Sequence, residues 1–243
     1  MRQLLTRIKT SFSSPSQPQL LYRSFSKESG QIEVWQKGYE KQLVVGGLVQ
    51  SVSADTPTAG QRVWGRIAKL IIDSLVDPRS CLLLGLGGGT VAHLLDRHFP
   101  HLKITAVEID PVIISIGKTY FELRQLTNLK IIQADAFDIL KKPSWFVSPY
   151  DVIVVDLYKG EVFPDKFASS EFVSFIGENL SPQGIIVFNR VFSPDLQERL
   201  GGFEQLLRVY FFRVERLNVA GVTGGENILF TAREYKGSTR NYV

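Results

Sequence analysis

The chain has 243 residues, 44% of them hydrophobic and 21% charged, and carries a formal net charge of +4. Those proportions belong to a globular protein with a sizeable core and exclude disorder throughout. The most apolar stretch, residues 81–92, is short and broken by four glycines. It falls below the ~18 residues a membrane-spanning helix needs, so no membrane partner is expected. The positive charge is concentrated at one end: residues 1–27 hold five cations and no acid, leaving 23 cations against 24 acids in the remainder. A nearly neutral body lacks the basic face that phosphate binding demands, so nucleic acid is not expected as a partner. The lone Cys81 cannot close an internal disulfide, and with three histidines it makes a poor metal-ligand set, so a reducing, cytoplasmic setting is expected and no metal.

In chain order, residues 1–19 form a Ser/Pro/Gln-rich basic tail. It is acid-free like an organelle transit peptide but more simply read as a disordered leader. Residues 20–56 contain the short alternating segments LLYRSF, GQIEVWQ and KQLVVGGLVQSVS, separated or interrupted by Lys37-Gly38 and Gly46-Gly47, which predict a small domain of β-hairpins. Residues 57–243 form the main domain. It opens with a helix carrying Val63, Ile67, Leu70, Ile71 and Leu75 at helical spacing.

Apolar runs then alternate with amphipathic ones: CLLLG, a helix over 91–99, KITAVEID, a helix over 112–123, LKIIQ, YDVIVVD, a helix over 169–180, GIIVFNR and a helix over 196–207. Runs that are apolar throughout are those of strands buried on both faces. The alternation predicts an α/β, doubly wound, mostly parallel sheet. YFFRVERLNV and ENILFTARE have no room for a helix between them and predict an antiparallel pair that completes seven strands.

The sharpest local signal is LLLGLGGGTVAHLL, where Gly85, Gly87, Gly88 and Gly89 fall at a strand-to-helix turn and would let backbone approach a nucleotide-like ligand. The third glycine of the dinucleotide pattern would fall at Thr90, which argues against NAD. Glu108 ends the second strand, where an acid can accept from both ribose hydroxyls, and Asp135 follows the third strand, where it can accept from an adenine amino group. Asp156, at the end of the fourth strand, is the candidate base or amine anchor.

The segments GLGGGT, VEIDPVIISIGKTYF, DAFDIL, YDVIVVD and SSEFVSFIGENLSPQGIIVFN resemble the spermidine synthase family, within the class I S-adenosylmethionine-dependent methyltransferase fold. The resemblance runs over about residues 20–233 and includes the hairpins ending in GGLVQS. It implies a Rossmann-like domain, an adenosyl sulfonium ligand and a homodimer. It also implies Glu108 on the ribose, Asp135 and Ala136 at the adenine, Gln50 over the thioether end, and Asp156 in the acidic catalytic loop.

Three departures from the family pattern bear on the reaction. The loop's second acid is Lys159 here, and Gly87 stands where the family has an acid at the donor's amino end. Ala59 and Gln61 replace a Tyr and a Glu. Two cations ~4 Å apart repel by about 4 kcal/mol at an effective dielectric of 20 and by ~1 kcal/mol in water, so a Lys159 turned inward would oppose a diamine.

The expectation from sequence is therefore methyl transfer from S-adenosylmethionine to a small-molecule acceptor. Aminopropyl transfer from decarboxylated S-adenosylmethionine is the alternative, and a non-catalytic binding module the third reading. Tyr158, with Lys159, is placed at the substrate; Phe163 and Trp64 read as packing, Arg190 as an anion partner or a surface ion pair, and His93, His98 and His101 as surface residues.

Overall fold

The computed structural model describes residues 17–141, 149–160, 162–220 and 226–237. Most of the basic leader lies outside them. Four strands come first: β1 (Gln19–Ser26), β2 (Gly30–Lys37), β3 (Glu40–Val45) and β4 (Leu48–Val52), paired antiparallel in that order. Gly46 and Gly47 both adopt positive φ, 57° and 87°, as the two-residue turn between β3 and β4 requires. Helix α1 (Val63–Ser74) leads to β5 (Ser80–Leu84), α2 (Thr90–His98), β6 (Lys103–Glu108), α3 (Pro111–Tyr120), β7 (Leu129–Gln133) and β8 (Tyr150–Val155). Helix α4 (Ser170–Glu178), β9 (Leu180–Phe192), α5 (Gln197–Tyr210), β10 (Phe211–Ala220) and β11 (Glu226–Tyr235) complete the order.

The large sheet has the order β10-β11-β9-β8-β5-β6-β7, parallel from β9 to β7 and closed by antiparallel β11 and β10. Side chains alternate between its faces, so Cys81 and Leu83 join the core under α1 and α2 while Leu82 and Leu84 join the core under α4 and α5. That is why the β5 run shows no polar alternation. The small sheet lays Ile32, Val34, Leu43 and Val45 against Ile113, Ile116 and Phe121 of α3 and its exit. No helix among the described residues is long and apolar enough to cross a membrane.

The glycine turn joins these layers. Gly85 has φ 87°, and a Cβ there would lie 2.0 Å from the Asp156 carbonyl oxygen. A Cβ on Gly88 would reach Ser51 and Phe121 at about 3 Å, and one on Gly89 would reach Leu123 at 2.3 Å. The expectation that all four glycines clear space for a ligand is thus corrected: Gly85 and Gly87 do line the cleft described below, whereas Gly88 and Gly89 make room for the protein's own neighbours. Thr90, which replaces the third glycine, uses its hydroxyl for packing too. It donates to the Val52 carbonyl at 2.6 Å, accepts from the Val52 N–H at 3.0 Å and meets Ser51 Oγ at 2.7 Å. Gly85→Ala combines a left-handed backbone with a backbone overlap. We expect it to destabilise the fold by about 3 kcal/mol or more, read as a lowered midpoint in urea unfolding.

Candidate functional site

The carboxyl ends of the parallel strands open into a cleft of about 430 Å³, a size suited to a nucleoside-sized ligand. Main-chain bonds carry the strand ladder just past the strand ends and so fix where the acids emerge. Gly85 N–H donates to the Val107 carbonyl at 2.9 Å, Ala134 N–H to the Glu108 carbonyl at 3.0 Å, and Asp156 N–H to the Leu84 carbonyl at 2.9 Å. Glu108, Asp135, Ala136, Asp156, Tyr158, Lys159 and Gln50 all line the cleft together with Gly85 and Gly87.

Glu108 is buried and already gripped by backbone. Its Oε2 accepts from Leu86 N–H at 3.1 Å and Gly87 N–H at 3.3 Å, and its Oε1 from Asp110 N–H at 3.0 Å. Burial pushes its carboxyl above the ordinary range, against the pull of those three donors. The two oxygens offer about four acceptor sites, of which Oε2 uses two and Oε1 one, so one site on Oε1 remains, in a fixed orientation, for a ligand hydroxyl. Asp135 is less free than its sequence position suggests. Lys166 donates to its Oδ2 at 2.5 Å while its Oδ1 accepts from Phe137 N–H at 2.8 Å. An adenine amino group must compete with Lys166 there. With the two side chains 32% and 39% exposed, the pair contributes little, about 0.2–1 kcal/mol. Lys166→Ala is accordingly expected to tighten binding of an adenosyl ligand about two- to fivefold, measured by calorimetry.

Asp156 sits at the floor of the cleft. Asn189 Nδ2 donates to its Oδ1 at 2.8 Å, and the Trp64 indole lies close enough to draw the same carboxyl downward. Burial raises its carboxyl above the ordinary range, and these two side chains pull it back. Trp64 is thus a cleft residue that helical periodicity assigned to packing alone; it does both, being 5% exposed in the core under α1. Tyr158 donates its hydroxyl to the Asn189 carbonyl at 2.9 Å, and burial with the neighbouring Asp156 pushes its phenol upward, so it stays protonated. Lys159 is exposed at the rim, and Gln50 Nε2 spans the mouth to the Gly160 carbonyl at 3.4 Å.

Other candidates lie elsewhere. Arg190 is buried with its guanidinium 3.9 Å from the Phe163 ring centre and 4.7 Å from that of Phe203, behind the cleft rather than in it, which corrects both readings made of it. Ala59 and Gln61 form a short turn before α1 and do not line the cleft. His93 is half-buried and bonds the Phe121 carbonyl at 2.7 Å, whereas His98 and His101 are exposed. Cys81 is buried, and desolvation pushes its thiol upward, so it is not a nucleophile. No group of three His, Cys, Asp or Glu able to hold a metal occurs among the described residues.

Residues 61–219 match the spermine/spermidine synthase domain. The chain belongs to that family. Among curated relatives, a polyamine aminopropyltransferase of Chromobacterium violaceum is 29% identical over 78% of this chain and 72% of its own length. One of Vibrio vulnificus is 33% identical over 46% of this chain and 38% of its own length. An eEF1A lysine and N-terminal methyltransferase of Mus musculus is 30% identical over 48% of this chain and 18% of its own length. The matches therefore span less than half the length of each of the last two. The crystal structure of a spermidine synthase in complex with a transition-state analogue superposes with TM-score 0.68 at 16% identity, covering 88% of this chain and 73% of that one. That likeness extends the family's fold over the small sheet as well.

The raised Asp156 carboxyl has a thermodynamic signature. A folded pKa above the unfolded one means that the native state holds its proton more tightly. The group therefore favours folding below the unfolded value of about 3.8, and this contribution is lost as pH rises through the folded pKa. The stability of the wild type relative to Asp156→Asn is thus expected to fall from pH 4 to pH 7, measured by urea unfolding at a series of pH values.

Proposed function

We propose that this chain is a transferase that binds decarboxylated S-adenosylmethionine and moves its aminopropyl group to an amine. The observation that carries the reading is the charge of the cleft: Glu28, Glu108, Asp135, Asp156 and Glu226 face it against Lys159 and Lys166, and Lys166 is already held by Asp135. A doubly cationic donor and a cationic amine suit such a surface. The names of the polyamine aminopropyltransferase relatives support the same choice over the methyl transfer expected from sequence.

The residues present fit an adenosyl ligand, with an acceptor site on Glu108 Oε1 preset for a ribose hydroxyl, Asp135 and Ala136 at the far wall, and Gln50 over the mouth. Such a donor supplies a carbon activated by positive sulfur, whose bond to sulfur breaks with the electron pair left on sulfur. Asp156 accepts the proton that the attacking amine gives up as its nitrogen bonds to that carbon. Its carboxyl is raised by burial, which makes it a stronger base. Tyr158, kept protonated, and Trp64 wall the acceptor side.

A second reading, methyl transfer from the intact donor, is favoured by Gly87, which leaves no acid at that position to oppose a donor carboxylate. The decisive assay incubates the protein with decarboxylated donor and a panel of diamines. Methylthioadenosine release is expected, and release of S-adenosylhomocysteine from the intact donor alone would reverse the choice. Asp156→Asn is expected to lower kcat by about 10²-fold or more while the donor dissociation constant stays within a few fold.

A further inference from the structure

Three residues on three strands form a chain of side-chain bonds that no motif marks. Asp156 follows β8, Asn189 lies on β9 and Asn227 on β11, and the sheet order β11-β9-β8 sets them side by side. Asn227 Nδ2 donates to Asn189 Oδ1 at 2.8 Å, and Asn189 Nδ2 donates to Asp156 Oδ1 at 2.8 Å. Asn189 is 3% exposed, so its side-chain amide has little water to turn towards, while its backbone carbonyl separately receives the Tyr158 hydroxyl.

An asparagine amide has a donor end and an acceptor end, and the partner on one side decides which end faces the other. An ionised Asp156 only accepts and so takes the Asn189 NH2, and Asn227, by giving its own NH2 to the Asn189 oxygen on the other side, keeps the amide from turning. The Asn189 NH2 is thereby committed to Asp156. We propose that Asn227 is a positioning residue that acts through Asn189, fixing the amide so that a donor always faces the Asp156 carboxylate and holds it ionised and oriented for the incoming amine. The role in transfer rests on the function proposed above; the orientation of the amide does not.

The other titratable or charged groups that share the cleft with Asp156 are Tyr158 and Lys159 from its own loop, Glu108 from β6, Asp135 after β7, Lys166, Glu28 and Glu226. Of the two side chains that pull the Asp156 carboxyl down, one is Asn189 and the other is Trp64 of α1, outside the relay. The relay is therefore separable from the rest of the site.

Asn227→Asp provides the test, because it keeps the shape and replaces a donor by an acceptor. The two carboxylates then compete for the Asn189 NH2, and whenever it goes to residue 227 the Asn189 oxygen turns toward Asp156, which disfavours the carboxylate there. Carboxyl 13C resonances of the full chain, with the Asp156 signal assigned by its loss in Asp156→Asn, report the protonation of Asp156 without any substrate. In Asn227→Asp the midpoint is expected to move up by about one pH unit, and in the uncharged Asn227→Ser by less but in the same direction.

A negative charge at residue 227 would also raise the midpoint through space, so both substitutions are repeated in an Asn189→Leu background. There the shift should shrink at least threefold, since a coupling carried by one side chain disappears with it. An unshifted midpoint in both single variants, or a full shift surviving in the Asn189→Leu background, overturns the proposal. Aminopropyl transfer is then assayed on the same proteins. The acid limb of kcat is expected to follow the resonance midpoint with the donor dissociation constant unchanged. A resonance shift with no transfer by the wild type from decarboxylated donor would sink the proposed function and leave the relay standing.

Discussion

The site depends on one close approach of backbone to backbone. Where β5 turns toward α2, Gly85 brings its α-carbon so near the Asp156 carbonyl that a methyl group would lie 2.0 Å from the oxygen. That approach lets the Asp156 N–H reach the Leu84 carbonyl one residue beyond the end of β8, and it places the carboxylate over the sheet instead of beyond it. A larger residue would push the two strand ends apart, and with them the floor of the cleft from the turn that carries Glu108's backbone donors, Leu86 and Gly87. The left-handed φ of 87° adds the conformational reason for glycine at this position.

Around that contact the acids occupy different electrostatic situations. Glu108 is held by three backbone N–H groups, Asp156 by the Asn189 amide, and Asp135 by a partly exposed ammonium. The first two are desolvated beside neutral donors, so their charge is only partly compensated and each carboxyl is pushed upward. The third is compensated by an ion that solvent also screens, which makes it the easiest to reassign to a ligand. One cleft thereby combines a rigid acceptor, a carboxyl raised by burial and an exchangeable contact.

Much of this was legible in the sequence. Unbroken apolar runs and their spacing identified the parallel strands, and the acids at the ends of the second and fourth runs emerge where the register puts them. What escaped was every contact made across the chain. Trp64 sits at a helical core spacing and its periodicity reports only that it is buried, not that its indole comes beside Asp156, which emerges from a strand much later in the chain. Asn227 falls in the predicted last strand, but nothing in that strand's pattern names Asn189 as its partner until β11 is known to lie beside β9. Arg190 at a strand end reads as a ligand for anions; its side chain instead turns to the far face, onto Phe163 and Phe203. Partner identity is a property of strand order, which hydrophobic patterning does not encode.

The small sheet is bound to the large domain in a way that bears on how molecules come and go. Asp110, fully buried, caps α3 by accepting from the Val112 N–H, and its other carboxylate oxygen accepts from Ser26 Oγ at the end of β1. Thr90 stitches β4 to α2 in the same manner. Prising the upper wall away would break both buried ties, whereas the span from Gln50 to Gly160 is a single long, exposed bond. The flank where β4 meets α2 is therefore the firmly tied side of the cleft, and the edge at Gly160 and Lys159 the weakly tied one.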